Sequence, residues 1–271
     1  MIIPAVVSLG SLGLVFGSLL AFASQKFAVE VDPKIEQVQE ILAGANCGAC
    51  GCAGCAQFAE EVVAGRAPIS GCTPGGSKVA AQIAEILGLE APEEQERFVA
   101  QLKCLGDCNT VKAKHIYHGV KDCKAAIALS GGPSACSFGC VGLGNCVKVC
   151  PVDAITMGEN GLPIIDVDLC ISCGNCVCEC PRQVIEMVST AVEQPYVLCR
   201  SQDKGKQVRS ICARGCIACG LCVKKCPQNA IRLENNYAVI DGSLCDNCGI
   251  CVEVCPQNTI VANTIVKNTA V

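Results

Sequence analysis

The sequence predicts an α+β protein that combines a single transmembrane helix, a small three-helix domain and two tandem modules of short hairpins and helices. Three observations lead to this fold class: an uncharged apolar N-terminus, 27 cysteines in 271 residues, and an internal repeat in the C-terminal part of the chain. We place the boundaries at residues 1–27 for the helix, 28–95 for the three-helix domain, and 96–190 and 191–271 for the two modules.

The N-terminal segment runs from Met1 to Gln25 without a charged side chain and is followed by Lys26. About 20 apolar residues suffice to cross a bilayer, so the segment predicts a retained anchor in the cytoplasmic membrane. A cleaved signal peptide is the alternative, because AFAS imitates a cleavage site, but no basic residue precedes the apolar run. Since the first positive charge follows the span, we expect the N-terminus outside and the remaining domains on the cytoplasmic side.

The region after the anchor predicts three helices. VDPKIEQVQEIL has apolar residues at helical spacing behind Asp32 and Pro33, which suit a helix cap and first turn. CAQFAEEVVAG predicts a second helix that ends at Gly65, and GGSKVAAQIAEILGL predicts a third that stops at Gly88. The loops carry four cysteines among small residues: Cys47, Cys50, Cys55 and Cys72.

The rest of the chain repeats itself. CSFGCVGLGNCVKVCPVDAI at 136–155 aligns with CARGCIACGLCVKKCPQNAI at 212–231. Each stretch is followed by a short hairpin, GLPIID or NYAVID, and then by a second cysteine motif at 170–185 or 245–260. The repeat predicts two duplicated modules in tandem.

The cysteine spacing indicates iron–sulfur clusters. Thiolates in groups of four suit iron–sulfur clusters or zinc. The run C-x2-C-x2-C-x3-C-P is typical of bacterial ferredoxins, in which the fourth cysteine binds the other cluster of the pair. Zinc sites normally use separate C-x2-C pairs, and an odd number of closely spaced cysteines disfavours a disulfide framework. Each module is therefore predicted to resemble a bacterial ferredoxin with two 4Fe–4S clusters, and the three-helix domain to hold one.

Crossing the fourth ligand within each module assigns every motif. The first module is predicted to use Cys170, Cys173, Cys176 with Cys150, and Cys136, Cys140, Cys146 with Cys180. The second is predicted to use Cys216, Cys219, Cys222 with Cys255, and Cys245, Cys248, Cys251 with Cys226. The run that begins at Cys136 departs from the pattern, since it reads C-x3-C-x5-C-x3-C-P. Together with the Cys47 set, these sets predict five 4Fe–4S clusters.

The remaining cysteines leave a sixth cluster open. Cys104 and Cys199 occupy corresponding positions ahead of each cysteine-rich run, and Cys123 and Cys212 follow them. These four would converge if the modules pack about a pseudo-twofold axis. The alternative is buried free cysteine, which packs as a small hydrophobic residue. No role is assigned to the other three, Cys52, Cys108 and Cys178.

The other residues indicate an electron carrier and no catalytic residues. The net charge is −4, and no basic block indicates nucleic acid as a partner. We find no dinucleotide-binding fingerprint and no phosphate-binding loop, and the two histidines, His115 and His118, suit surface roles. Two basic groups are either solvated surface or a docking face for an acidic redox partner: Lys112, Lys114, Lys121 and Lys124, and Lys204, Lys206 and Arg209.

The combination of parts resembles a known family. The apolar helix, the domain with ANCGACGCAGCAQFAEEVVAGRAPISGCTPGG, and modules containing YHGVKDCKAA and CSFGCVGLGNCVKVCP resemble the B subunit of the Rnf complex over essentially the whole chain. That family belongs to membrane-bound ferredoxin:NAD⁺ oxidoreductases that translocate Na⁺ or H⁺. The resemblance implies the electron-input component of a translocase, with soluble ferredoxin and the other membrane and peripheral Rnf subunits as partners. The alternatives are a membrane-anchored polyferredoxin serving another low-potential complex, and a structural metal or disulfide protein.

Overall fold

The computed structural model describes residues 2–26, 32–92, 96–192 and 194–262. The first helix, α1, covers Ile2–Lys26, with side chains described from Gly10 onward. Across the described residues, no helix offers an apolar stretch long enough for a membrane crossing, which takes about 20 residues. The predicted transmembrane helix is therefore wrong, and so is the single-pass location in the cytoplasmic membrane with the N-terminus outside and the cluster domains inside.

The three helices predicted after this segment are present. They are α2 (Pro33–Ile41), α3 (Cys55–Val63) and α4 (Gly76–Leu87). The Asp32 side chain accepts a hydrogen bond from a backbone N–H of the first turn of α2, and Gly88 ends α4 in the left-handed conformation. Val38, Phe58 and Ile83 meet in the core between the helices and are fully buried. This small core holds the loops that carry the first four cysteines.

The repeat in the sequence is a repeat in the structure. The first copy contains β1 (Phe98–Leu102), α5 (Cys123–Ser130), α6 (Asn145–Lys148), β2 (Ile155–Met157), β3 (Pro163–Ile165), α7 (Asn175–Glu179) and β4 (Ile185–Ser189). The second contains β5 (Tyr196–Val197), α8 (Gly205–Ile211), α9 (Leu221–Lys225), β6 (Ile231–Glu234), β7 (Tyr237–Ile240), α10 (Ile250–Glu253) and β8 (Ile260–Val261). The order of helices and strands is the same in both.

Strand pairing closes each module on itself. Among the described residues there are four two-stranded antiparallel sheets. The central hairpins are β2–β3 and β6–β7, and the outer pairs β1–β4 and β5–β8 join the first and last strand of each module. The outer pairing brings the end of the second cysteine motif back to the start of the module, so the two motifs of a module face one another.

An isoleucine follows each cysteine–proline loop and starts a strand. These residues are Ile155, Ile185, Ile231 and Ile260, and all four are at most 5% exposed. They pack in two cores, one in each module, that combine aliphatic side chains with the cysteines of the motifs. Among the described residues, these two cores contain no aromatic side chain and include the thiols of both motifs, as expected for domains that a metal cofactor stabilises.

Candidate iron–sulfur centres

All four ferredoxin-type motifs adopt the same backbone path. The residue before the second cysteine position has a left-handed φ in each motif: Gly142 (77°), Ser172 (62°), Ala218 (51°) and Asn247 (58°). The third residue after each fourth cysteine is also left-handed: Asp153, Gln183, Asn229 and Asn258. This common path gives the register of the modified motif. Cys140 and Cys146 are its first and third cysteines, and Leu143 stands where the other motifs have their second.

Four cysteines of the three-helix domain surround one small cavity. The cavity is lined by the four predicted side chains, Cys47, Cys50, Cys55 and Cys72. Asn46 braces this loop because its Oδ1 accepts a hydrogen bond from the Cys55 N–H at 2.9 Å. A Cβ at Gly54 would lie 2.9 Å from that same oxygen, so a larger residue there would displace the Asn46 amide from the Cys55 N–H. Cys52 does not line this cavity.

The second module brings four cysteines from two motifs together. A small cavity is lined by Cys216, Cys219, Cys222 and Cys255, with Ile260 against it. Cys255 belongs to the second motif and the other three to the first, so the side chains converge across motifs. Burial, followed by the charges of neighbouring cysteines, raises the pKa of Cys222 to about 11. A thiol with this pKa keeps its proton at neutral pH, and metal binding would displace that proton.

The same crossing is seen at the Cys170 motif. Burial, and then the charges of Cys170, Cys173, Cys146 and Cys150, raise the pKa of Cys176 to about 12. Cys150, from the preceding motif, accepts a hydrogen bond through its Sγ from the Ala154 N–H at 3.3 Å. In the second module, Cys255 accepts one from the Thr259 N–H at 3.4 Å. N–H groups aimed at sulfur are typical of cluster ligands.

The last motif of the second module forms a corresponding group. Burial, and then the charges of Cys245, Cys222 and Cys248, raise the pKa of Cys251 to about 11. Cys226 packs in the same core as Cys251. Cys248 is exposed, as Cys219 is in the Cys216 set, so both groups of this module reach the surface at one cysteine.

The modified motif is divided between two places. Burial, and then the charges of Cys123 and Cys180, raise the pKa of Cys146 to about 11. Cys140 also lies near Cys123 and Cys146. Cys136, which the spacing assigns to this set, lies instead beside Cys104, since a Cβ at the intervening Gly139 would be 3.3 Å from the Cys136 sulfur and 3.5 Å from the Cys104 sulfur.

Asn145 is a functional candidate that the sequence analysis missed. It is 4% exposed, and its Oδ1 accepts a hydrogen bond from the Cys123 N–H at 2.8 Å. Its Nδ2 donates to Asp122 at 2.8 Å and to Glu179 at 3.0 Å. Asn145 thus joins the start of α5 to α6, where Cys146 lies. No sequence signal marks it, because its partner segment is far away in the chain.

The predicted basic docking residues lie at the surface. Lys112 and Lys121 are exposed, and so are all members of the second group, Lys204, Lys206 and Arg209. Lys124 forms a 2.7 Å ion pair with Glu179, and the Lys114 Nζ donates to the Ser130 carbonyl at 2.9 Å. His115 lies 3.0 Å from the Ser130 Oγ, and His118 is exposed. Surface roles for both histidines fit these positions.

None of the His, Cys, Asp and Glu side chains in the described ranges forms a group of three or more that is close enough to hold a single metal ion. Two of the cysteine sets, those of Cys47 and Cys216, are arranged around cavities instead. A cubane also carries its thiolates on separate iron atoms, and a set of four cysteines is its normal ligand set. The donor sets and the small glycine-lined cavities therefore fit 4Fe–4S clusters.

Family models match the cysteine-rich segments. An Fe-S cluster model matches residues 42–74, a 4Fe-4S binding domain matches 139–156 and 163–186, and a 4Fe-4S dicluster domain matches 215–260. These matches confirm that the chain has 4Fe–4S domains of the ferredoxin type. They leave the number of clusters open.

Curated relatives extend over nearly the whole chain. The chain is 45% identical to the B subunit of the proton-translocating ferredoxin:NAD(+) oxidoreductase complex of Clostridium ljungdahlii, over 99% of this chain and 94% of the relative. It is 45% identical to the Na(+)-translocating counterpart of Acetobacterium woodii, over 88% of this chain and 71% of the relative. It is 43% identical to the B subunit of the ion-translocating oxidoreductase complex of Methanosarcina acetivorans, over 90% and 92%.

Proposed function

The chain belongs to the family of B subunits of ion-translocating ferredoxin:NAD(+) oxidoreductase complexes, the Rnf family, and from that premise we propose that it passes electrons from reduced ferredoxin to the other subunits. The family assignment confirms the resemblance found in the sequence. With its ferredoxin-type domains, the chain is an iron–sulfur electron-transfer component of an oxidoreductase complex, and the other Rnf subunits are its partners.

Four complete sets of cysteines are proposed as cluster ligands. One is the set of the three-helix domain, Cys47, Cys50, Cys55 and Cys72. The others are Cys170, Cys173, Cys176 with Cys150; Cys216, Cys219, Cys222 with Cys255; and Cys245, Cys248, Cys251 with Cys226. A further site contains Cys140, Cys146 and Cys180. The observation that carries the proposal is the cavity at which Cys255 meets three cysteines of the other motif.

The protein's part in this chemistry is to hold and shield the thiolates. Bound 4Fe–4S clusters supply one-electron transfer at low potential. The chain provides four sulfurs for each cluster, aims backbone N–H groups at several of them, and places a buried isoleucine beside each motif. Hydrogen bonds to sulfur and the exclusion of solvent both tune reduction potential.

The cysteine sets are near neighbours in a definite order. Cys47 of the three-helix domain lies close to Cys173 of the first module. The Asn175 side chain also donates a hydrogen bond to the Cys47 carbonyl at 3.2 Å. Cys146 lies close to Cys176 within the first module, and Cys222 lies close to Cys251 within the second. Two series result, one that starts in the three-helix domain and crosses the first module, and one that crosses the second. An electron carrier requires a connection between them.

Ion movement and NAD⁺ reduction are proposed to occur on the partner subunits. Two of the relatives described above have names that specify different ions, H⁺ in one and Na⁺ in the other, at the same level of identity to this chain. A chain of this family is thus compatible with either ion. Its own contribution is the transfer of single electrons.

The test is reduction of the isolated full chain. Protein purified without oxygen should be brown, should bleach with dithionite, and should be reduced by catalytic amounts of ferredoxin under a low-potential electron source. A control without ferredoxin separates direct reduction from mediated reduction. A chain that binds iron but stays oxidised in the presence of reduced ferredoxin would refute the role in electron input.

A further inference from the structure

A small cavity lies where the two modules meet. Its wall includes cysteines of both modules: Cys104, Cys136, Cys140, Cys199 and Cys212. Apart from Cys140, none of these falls within a segment that a family model matches, since the models cover 42–74, 139–156, 163–186 and 215–260. The family models therefore assign no cluster to the other four cysteines.

We propose that four cysteines from the two modules bind a sixth 4Fe–4S cluster in this cavity: Cys104, Cys136, Cys199 and Cys212. Cys123 then replaces Cys136 as the fourth ligand of the Cys140, Cys146 and Cys180 site. This inference rests on the proposed function, because it adds a cluster to the same electron carrier. It revises the ligand set suggested by spacing, in which Cys123 and Cys136 have the opposite places.

Glycines let these sulfurs approach one another. A Cβ at Gly106 would lie 3.6 Å from the sulfur of Cys104 and 3.6 Å from that of Cys212. A Cβ at Gly139 would touch the sulfurs of both Cys136 and Cys104. Each of these glycines therefore lies between two of the proposed ligands. Cys104, Cys136 and Cys212 are each 8% exposed, which is the burial expected of a shielded cluster site.

The hydrogen bonds around the cavity follow the duplication. The Cys104 sulfur accepts from the N–H of Cys140 at 3.4 Å, and the Cys199 sulfur accepts from the N–H of Ser201 at 3.4 Å. Cys104 also has the N–H of Gly106 near its sulfur, and Cys199 has that of Cys216. The two modules thus present equivalent thiols with equivalent N–H donors: one from two residues ahead and one from the first cysteine of the ferredoxin motif. The site has the pseudo-twofold symmetry of the module pair.

The exchange of Cys123 for Cys136 follows from the loop register. Leu143 occupies the second cysteine position of the modified motif, so that motif lacks one ligand. Cys123 begins α5 and is held to the α6 segment by Asn145, and it lies near both Cys140 and Cys146. Cys136 is the counterpart of Cys212, since each precedes the first cysteine of its motif by four residues. The two equivalent residues therefore belong to one site between the modules.

Positive charge at the cavity suits an anionic group. Lys103, Arg200 and Arg214 line it together with the thiols. The Lys103 ammonium, whose side chain is 13% exposed, lies 3.5 Å from Glu186. The Nε of Arg214 is buried and has no hydrogen-bond partner among the described residues. A cluster held by four thiolates is anionic and would offer such a donor an acceptor.

The sixth site supplies the missing connection. Cys104 lies close to Cys140 on one side of the cavity, and Cys199 lies beside Cys216 on the other. The six cysteine sets then form one unbroken series from the three-helix domain, through the first module and the junction, to the exposed Cys248 end of the second module. Each neighbouring pair of sets is joined by at least one close pair of cysteines.

The first test is the iron content of the full chain. Protein purified and reconstituted without oxygen should contain about 24 iron atoms per chain, since each cubane carries four. A saturated value of about 20 would overturn the sixth site and leave the proposed function standing, whereas a protein that binds no iron would overturn both. Cys199→Ser should lose about four iron atoms. The exposed Cys178→Ser serves as the matched control and should lose none.

The second test asks which cysteines share a site. Cys136→Ser combined with Cys199→Ser should lose about four iron atoms in total, because one site is damaged twice, while Cys123→Ser with Cys199→Ser should lose about eight. The reverse pattern would overturn the exchange. Circular dichroism equal to that of the unmodified protein identifies the variants that have kept their fold, and the iron count of the unmodified chain remains decisive if a variant has not.

Discussion

The crossing of ligands in the second module can be tested at one residue, Cys255. Cys255 lines the cavity of Cys216, Cys219 and Cys222, although it belongs to the motif of Cys245, Cys248 and Cys251. Cys255→Ser should therefore remove the cluster of the other motif. The expected loss is about four iron atoms per chain, with the neighbouring site still saturated through Cys226.

Thiol alkylation followed by peptide mass spectrometry identifies which site was lost. Iron-bound thiolates resist alkylation, and released thiols react if solvent reaches them. Cys219 and Cys248 form a matched pair of reporters because both are exposed and each belongs to a different set. In the native, oxygen-free Cys255→Ser protein, Cys219 should become labelled and Cys248 should stay protected.

The reciprocal variant is the control. Cys226→Ser should expose Cys248 and leave Cys219 protected, because Cys226 is assigned to the Cys245 set. Labelling of Cys248 in Cys255→Ser would mean that each motif binds its own cluster, and the reasoning from the cavity would be refuted. Labelling of both reporters in both variants would also contradict it, since it would mean that the two sites cannot be occupied independently.

Three further predictions follow from the structure. Asn145→Ala leaves the buried N–H of Cys123 without its partner, at a cost of about 1–3 kcal/mol. A chelator should therefore remove iron about tenfold faster, as measured by the absorbance of the iron complex. An unchanged rate would contradict the role of Asn145 in positioning Cys123. Lys112→Glu with Lys121→Glu should slow reduction by ferredoxin roughly tenfold at low salt and much less at high salt. Lys78→Glu is the control. Equal stopped-flow rates for the double variant and the unmodified chain would mean that these lysines do not bind ferredoxin. Arg214→Gln should lower the reduction potential of the cluster at the junction, because a positive charge beside an anionic group favours its reduction. The potentials are measured by redox titration with electron paramagnetic resonance, and unchanged potentials would count against that cluster.

The sequence was sufficient for most of the local structure. Asp32 and Gly88 marked helix ends through the hydrogen bonds and the left-handed backbone that helix termini require. The cysteine–proline spacing predicted the motif loops, and the internal repeat predicted two modules that turn out to share one order of helices and strands. These features depend on neighbouring residues, so a sequence pattern can report them.

The membrane prediction shows what a pattern leaves open. It depended on the absence of charges before Lys26, which describes composition, and the described residues contain no helix that is both long and apolar enough to cross a membrane. The role of Asn145 could not be predicted from the sequence for a different reason. Its partners come from α5 and α7, so its hydrogen bonds exist only once three segments have packed together.

The division of the cysteines in the first module depends on packing in the same way. Counting spacings assigns Cys136 to the nearest incomplete motif, because spacing takes no account of what lies opposite in the fold. The alignment of the two repeats indicates a different assignment. Cys136 is the counterpart of Cys212, and Cys212 lies outside any ferredoxin motif. Once Leu143 is recognised at the vacant ligand position, the motif requires a cysteine from elsewhere, and Cys123 at the start of α5 is close enough to serve. The cysteine thus released lies at the junction between the modules, where an electron carrier needs one more site.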